Sequence, residues 1–199
     1  MRPFINPLLQ DVPRVPHTLQ EYLALLQASD KRWEFWEGDF VCVTGDSLEH
    51  ATIASNLHSS LVLGMKKRGR RAFGGNTPIN TPSLPPFRFP DLSVVCGKPY
   101  FTMFNGLGAL NNPLVVVEVL SSTTEYYDRE PKREAYQALP SVQEYLLVAQ
   151  SIPYVTRFVR LGKRWRRIEY RDLNDVIKLT SLDVELPMSE VYRDIEFSE

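Results

Sequence analysis

The stretch from Pro113 to Lys132, PLVVVEVLSSTTEYYDREPK, decides how the chain is read. Its apolar run Leu114 to Val117 is β-branched and continuous, the pattern of a strand covered on both faces at the centre of a sheet. Glu118 then places a carboxylate directly on that strand. An uncompensated charge there would cost several kcal/mol or be neutralised by a shifted pKa, so a cation should meet it. Two cations are in reach. One is Lys132, on a helix predicted after the Ser/Thr-rich turn; the other is a divalent ion shared with Asp91 on the preceding predicted strand.

Composition bounds the protein that carries this stretch. With 199 residues, the chain can build one domain with a real core and is too short for two of ordinary size without a visible linker. A single domain over 1–199 is expected. Residues 1–16, MRPFINPLLQDVPRVP, read as an irregular proline-stiffened arm without the apolar centre of a signal peptide. No apolar run approaches the roughly 20 residues that span a bilayer. A soluble, cytoplasmic protein without a membrane partner is expected. Cys42 and Cys96 lack metal-ligand spacing and read as buried free thiols. Against 24 acidic residues stand 23 basic ones, so only local clustering can speak for a nucleic-acid partner.

Outward from the central strand, the other elements follow from periodicity and punctuation. Thr18 can N-cap a short helix to about Gln27, with Leu19, Tyr22, Leu23 and Leu26 as its apolar stripe. RWEFWEGDFVCV reads as a hairpin turning at Glu37-Gly38-Asp39. Asp46 or Ser47 opens the longest helix, Leu48 to Lys67, carrying Ile53, Leu57, Leu61 and Met65 on one face and ended by Gly69. One strand and an extended loop fill Arg70 to Pro86, followed by a strand from Phe87 to Cys96. Pro90 cannot donate to a ladder, which places Asp91 at a strand end, bulge or edge. FNGLGALNN reads as a mobile surface loop. Asp128 can cap a helix to about Leu139 with Pro131 in its first turn. Strands are expected at 143–149, 154–161, 164–171 and 176–180, the middle pair joined at Gly162-Lys163.

The segments WEFWEGDF, SLEHATIASNL, FPDLSVVCG, NPLVVVEVLS, YDREPKREAY and PSVQEYLLV, in this order, resemble the Uma family of restriction-endonuclease-like proteins within the PD-(D/E)XK nuclease superfamily. They cover most of residues 33 to 149. The resemblance implies an α/β (α+β mixed) fold with a restriction-endonuclease-like core: a central mixed β-sheet flanked by helices, with an N-terminal hairpin and C-terminal strands. It implies a Mg²⁺-dependent endonuclease acting on DNA, with Mn²⁺ able to substitute. Asp91, in Pro90-Asp91, and Glu118 would be the catalytic acids and metal ligands. The superfamily's usual lysine two positions after the second acid is absent, because Leu120 stands there. The family-like pattern carries a lysine on the following helix instead, matched by Lys132, which would position the nucleophile or share transition-state charge. Glu34 and His50 fall in family-like segments as auxiliary candidates.

Each candidate also has a plainer reading. Glu34 fits a solvated strand face and His50 a structural helix residue; Asp91 and Glu118 could be Arg-paired structural acids, and Lys132 could pair with Asp128 on a helix surface. Two basic clusters could grip phosphates: Lys66, Lys67, Arg68, Arg70 and Arg71, and then Lys163, Arg164, Arg166 and Arg167. They equally fit a helix C-terminus and an exposed strand face. No HExxH, GxSxG, Walker loop or CxxC pair is present. The alternatives to a nuclease are a catalytically silent relative that binds nucleic acid or a protein, and a hydrolase of small phosphate esters. Homodimerisation, by which many nucleases cut two strands, is raised by analogy alone.

Overall fold

The computed structural model describes residues 17–29, 32–36, 38–43, 47–65, 69–83, 86–121 and 125–197. The proline-rich arm at 1–16 lies outside them. The chain divides into two compact units, Met1–Gly45 and Asp46–Glu199. In the first, helix α1 (Leu19–Ala28) opens with a reciprocal capping box between Thr18 and Glu21. Strands β1 (Arg32–Trp36) and β2 (Asp39–Val43) pair antiparallel, and Gly38 takes the left-handed conformation that their turn requires, φ +94°. Tyr22 stacks on Phe35 and Phe40 and donates its hydroxyl to Trp33 O at 2.7 Å. Helix and hairpin are thereby sewn into one small core.

The second unit begins with α2 (Leu48–Gly64), N-capped by the Ser47 side chain. In chain order follow β3 (Arg70–Gly74), β4 (Ile79–Asn80), β5 (Phe87–Arg88), β6 (Leu92–Cys96), β7 (Phe101–Phe104), β8 (Leu107–Leu110) and β9 (Val115–Leu120). A helical segment comes next: α3 (Glu125–Tyr127), a π-helical stretch Asp128–Lys132, and α4 (Arg133–Gln137). The chain continues through β10 (Glu144–Ala149), β11 (Val155–Leu161), β12 (Arg164–Tyr170), β13 (Val176–Leu179), β14 (Val184–Pro187) and α5 (Met188–Val191).

Six strands form the main sheet in the order β12-β11-β10-β9-β6-β3. Only β9 and β10 run parallel within it. A parallel pair needs a crossover, and the helical segment supplies it. As its apolar run requires, β9 lies inside the sheet with all six residues buried. On one face Val115, Val117 and Val119 pack with Ile53, Leu57 and Leu61 of α2 and with Leu186, Met188 and Val191. On the other, Val116 and Leu120 pack with Tyr136 of α4 and with Tyr145 and Leu147 of β10. Glu118 falls between these last two strand positions, so it faces the helical segment.

Several elements depart from the sequence reading. Helix α2 stops at Gly64 rather than Lys67, because Met65 leaves the helical region with ψ 74°. A Cβ at Gly64 would lie 2.8 Å from Val184 Cγ1, so a side chain there would force Val184 of β14 to shift. Phe87 to Cys96 is two strands interrupted at Pro90. FNGLGALNN is a hairpin, not a loop: Asn105 and Gly106 take φ +45° and +90° between β7 and β8, the conformation for which Asn-Gly is favoured. The helical segment starts at Glu125, so Asp128 is no cap and Pro131 sits inside it. Proline has no N–H to give to the carbonyl four residues back, and the wider π turn absorbs that loss. The cysteines are free, yet Cys42 is half-buried and Cys96 exposed. Among the described residues no helix is long and apolar enough to cross a membrane.

A buried ion pair ties the sheet to the turn after β13. Glu144 receives Arg157 Nε at 2.5 Å and Ser181 N at 2.7 Å, and Arg157 Nη2 donates to Thr180 Oγ1 at 3.1 Å. Arg157→Met would strand the Glu144 carboxylate. Urea denaturation should show a loss of about 3–5 kcal/mol, largely recovered when Glu144 is also replaced by Leu.

Candidate active site

The site is built where β6 and β9 meet. Leu92 lies opposite Val117 and Ser93 opposite Val116. One further step beyond this antiparallel register brings Asp91, just outside β6, beside Glu118. Pro90 is what frees Asp91 from the ladder. Strand structure is interrupted between β5 and β6 at this point, and Asp91 Oδ2 accepts Val119 N–H from the neighbouring strand at 2.7 Å.

His50, in the first turn of α2, places Nε2 3.2 Å from Asp91 Oδ1. Burial is the largest single influence on Asp91 and opposes ionisation. The hydrogen bond and charge of His50, the charge of Lys132 and the Val119 N–H together outweigh it, so the carboxyl is held below the usual range.

Glu118 is 2% exposed and does meet a cation. Lys132 Nζ stands 3.3 Å from its Oε1. The same ammonium donates to Phe89 O at 3.0 Å and lies 3.1 Å from Asp128 Oδ1. The pair with Asp128 therefore exists, but it is buried rather than on a helix surface: Asp128 is 2% and Lys132 4% exposed. Tyr145 closes the floor by donating its hydroxyl to the Asp128 carbonyl at 2.9 Å. Burial, reinforced by Glu118 and Asp128, pushes the Tyr145 phenol well above its ordinary pKa and keeps it a donor.

Asp91, Glu118, Lys132 and His50 are thus brought into one cluster. Glu34 belongs to the first unit, buried on β1 opposite Val41. Sequence reasoning did not identify Asp128 as a buried third acid or Phe89 O as a lysine ligand. The spacing of Asp128 one turn before Lys132 was visible; only the burial of that turn was not.

Of the first basic cluster, Lys66, Lys67 and Arg68 lie outside the described residues. Arg70 Nη1 donates to Leu182 O, while Arg71 is exposed on β3. In the second cluster Lys163, Arg164, Arg166 and Arg167 are exposed, and Arg167 pairs with Glu169 at 2.5 Å. Strands β3 and β12 are opposite edges of the sheet, separated by five strand spacings or about 24 Å. The two clusters do not form one continuous patch along a strand.

The donors fit a hard divalent cation. Three acids, Asp91, Glu118 and Asp128, lie near Lys132, with His50 against Asp91, and oxygen donors of this kind suit such an ion. Among the described residues no group of three or more His, Cys, Asp or Glu side chains is arranged to hold a metal ion. An ion here would rest on two carboxylates, with water and phosphate oxygens completing its shell, as Mg²⁺ commonly does.

Comparison with known proteins bears on this arrangement. Residues 19–189 match the family described as "Uma2: Putative restriction endonuclease". Two uncharacterized proteins of Synechocystis sp. are similar in sequence. One, sll1609, is 28% identical over 168 residues, 84% of this chain and 94% of its own length. The other, slr1290, is 28% identical over 182 residues, 89% of this chain and 92% of its own length. A crystal structure from Anabaena variabilis, described as that of "a putative nuclease belonging to DUF820", superposes with a TM-score of 0.71 at 18% identity. The match covers 89% of this chain and 98% of that one. At that identity the likeness is one of fold, and the core is restriction-endonuclease-like.

Lys132→Met keeps most of the side chain's packing while leaving Glu118 and Asp128 facing each other. The unfolding free energy in urea should fall by about 3–5 kcal/mol, and replacing Glu118 by Gln in the same protein should restore part of it. An unchanged denaturation midpoint would contradict the buried ion-pair geometry.

Proposed function

Because the chain belongs to the Uma2 family of restriction-endonuclease-like proteins, we propose that it is a divalent-metal-dependent nuclease that hydrolyses DNA phosphodiester bonds. The observation that supports this reading is that Asp91, just before β6 and bonded to Val119 N–H of β9, and Glu118 on β9 both interact with the Lys132 ammonium. Both acids are the metal ligands of this reading. A Mg²⁺ ion, or Mn²⁺ in its place, would supply an activated water and offset charge on the attacked phosphate.

The chain's own residues do the rest. The Val119 N–H and His50 fix the direction of the Asp91 carboxylate, so it need not reorganise to receive an ion. Lys132 offers an N–H beside Glu118, where it can stabilise a phosphate oxygen as negative charge develops. Leu120 keeps water from that side of Glu118 by packing with Tyr136 and Tyr145. Exposed Arg164 and Arg166 on β12 would hold the backbone of DNA away from the cleaved bond.

The hold of Phe89 O, Asp128 and Glu118 on Lys132 also favours a second reading, a nuclease fold that binds nucleic acid without cutting it. Incubating the purified protein with plasmid and oligonucleotide DNA, with and without Mg²⁺, separates the two. Cleavage should require the ion and be abolished in Asp91→Asn. Lys132→Met, assayed at a temperature where it is folded, should cut on the order of 10²-fold more slowly. Lys132→Arg should not restore the rate, because a planar guanidinium carries the charge without the compact ammonium's geometry. Salt-sensitive binding with no cleavage under any metal would select the silent reading.

DNA affinity should fall steeply with salt if β12 grips phosphates. Replacing Arg164 and Arg166 by Ala should lower the slope of log K against log salt by about 2, at roughly 0.9 per phosphate contact. An equal slope in the variant would assign these arginines to solvent.

A further inference from the structure

We infer that Asp128 is a positioning residue for Lys132: together with Phe89 O it anchors the ammonium so that its remaining donor points at Glu118 and at a phosphate beside it. The inference rests on the nuclease reading for its purpose and on the geometry around Lys132 for its content.

The need for an anchor follows from where the lysine comes from. On β9 a lysine at position 120 would lie on the same face as Glu118, with the strand itself setting its aim. Leu120 occupies that place. Lys132 arrives from a helix on a flexible four-carbon stem, and such a stem loses much rotamer freedom when its tip is fixed. An ammonium has three N–H donors. One is given to Phe89 O at 3.0 Å, and Asp128 Oδ1 and Glu118 Oε1 lie at 3.1 and 3.3 Å. The anchors come from different elements: the link before β6, the π-helical stretch itself, and β9.

Charge makes Asp128 the anchor that matters. A divalent ion on Glu118 would draw that carboxylate away from Lys132 and repel the ammonium directly, an interaction weakly screened at a buried site. Phe89 O is a neutral acceptor. Asp128 is the carboxylate near Lys132 that the nuclease reading does not assign to the ion, so it is the group that can hold the ammonium beside a second cation. A carboxylate serving only helix stability would be on the surface, where pairs four residues apart are ordinarily found. Here it is buried, and Tyr145 fixes its backbone by donating to the Asp128 carbonyl at 2.9 Å.

Asp128→Asn, which keeps shape and removes charge, tests the inference on the full chain. The first readout is the ¹⁵N NMR signal of the Lys132 ammonium with Mg²⁺ alone as the probe, requiring no cleavage. In the wild-type protein a protected signal should be present and should survive Mg²⁺ addition. In the variant it should be lost when Mg²⁺ is added. The second readout is cleavage of a DNA oligonucleotide: kcat should fall on the order of 10²-fold while KM stays within about 2-fold, as for a group that aims a transition-state donor.

A variant whose ammonium signal survives Mg²⁺, or which cleaves like wild type, overturns the inference. If Asp128→Asn does not fold, the wild-type signal decides alone: its absence, or its loss on adding Mg²⁺, overturns the inference too. A wild-type protein that cuts no nucleic acid refutes the nuclease reading. The Mg²⁺ titration still reports whether Asp128 holds the lysine.

Discussion

A carboxylate buried on the central strand is the constraint on which the rest of this structure depends. Glu118 sits between Val117 and Val119 in a strand whose every residue is buried. An isolated ionised group there is costly by several kcal/mol, so the surrounding structure has to bring a cation to it. Lys132 is that cation, and delivering it determines where the crossover between β9 and β10 must run. The helical segment carries Lys132 and Tyr136 onto the face of the sheet that Val116, Glu118 and Leu120 share. The same segment therefore provides the core of that face and the charge that makes Glu118 tolerable there.

A second acid enters by a different device. Asp91 is not part of a strand. Pro90 stops the ladder, and the freed side chain takes its partners from Val119 N–H and His50. One proline thus converts a position in line with β6 into a fixed acceptor at the strand end. The two acids come near one another because the end of β6 lies beside Glu118 of β9 in the antiparallel register. Their surroundings differ: Asp91 is served by an imidazole and an amide, Glu118 by an ammonium. Lys132 serves both, pairing with Glu118 and helping to hold the Asp91 carboxyl below its usual range.

Much of this was legible in the sequence. The run VVVEV fixed a buried strand, the period of Ile53, Leu57 and Leu61 gave the helix above it, and Pro90 gave the break before Asp91. Elements whose punctuation competes with their pattern were less legible. Asn105-Gly106 carried a strong hairpin signal, but the flanking strands expose Phe101 and Met103, so their alternation does not read as a buried face. The start of the crossover helix was misplaced because Asp128 resembles an N-cap. It is instead spent on Lys132, a use that only the burial of that turn reveals. The small sheet β5-β4-β8-β7 joins strands of two to four residues, too short for any period to register.

The exchange of positions between lysine and leucine has a physical reason of its own. Leu120 shares the face of Glu118 and is buried against Tyr136, Tyr145 and Leu147. A lysine at 120 would have to end beneath the helical segment, among aromatic rings that offer it little solvation. An ammonium arriving from above, on the covering helix, reaches Glu118 while leaving the apolar floor intact. The π turn that accommodates Pro131 belongs to the same solution, since it spans Asp128 to Lys132 and has both ends buried. Moving the lysine off the strand therefore transfers the task of aiming it from β9 to the helix. A helix lysine with a flexible stem can perform that task only where neighbouring oxygens hold its tip, and those oxygens are present on Phe89 and Asp128.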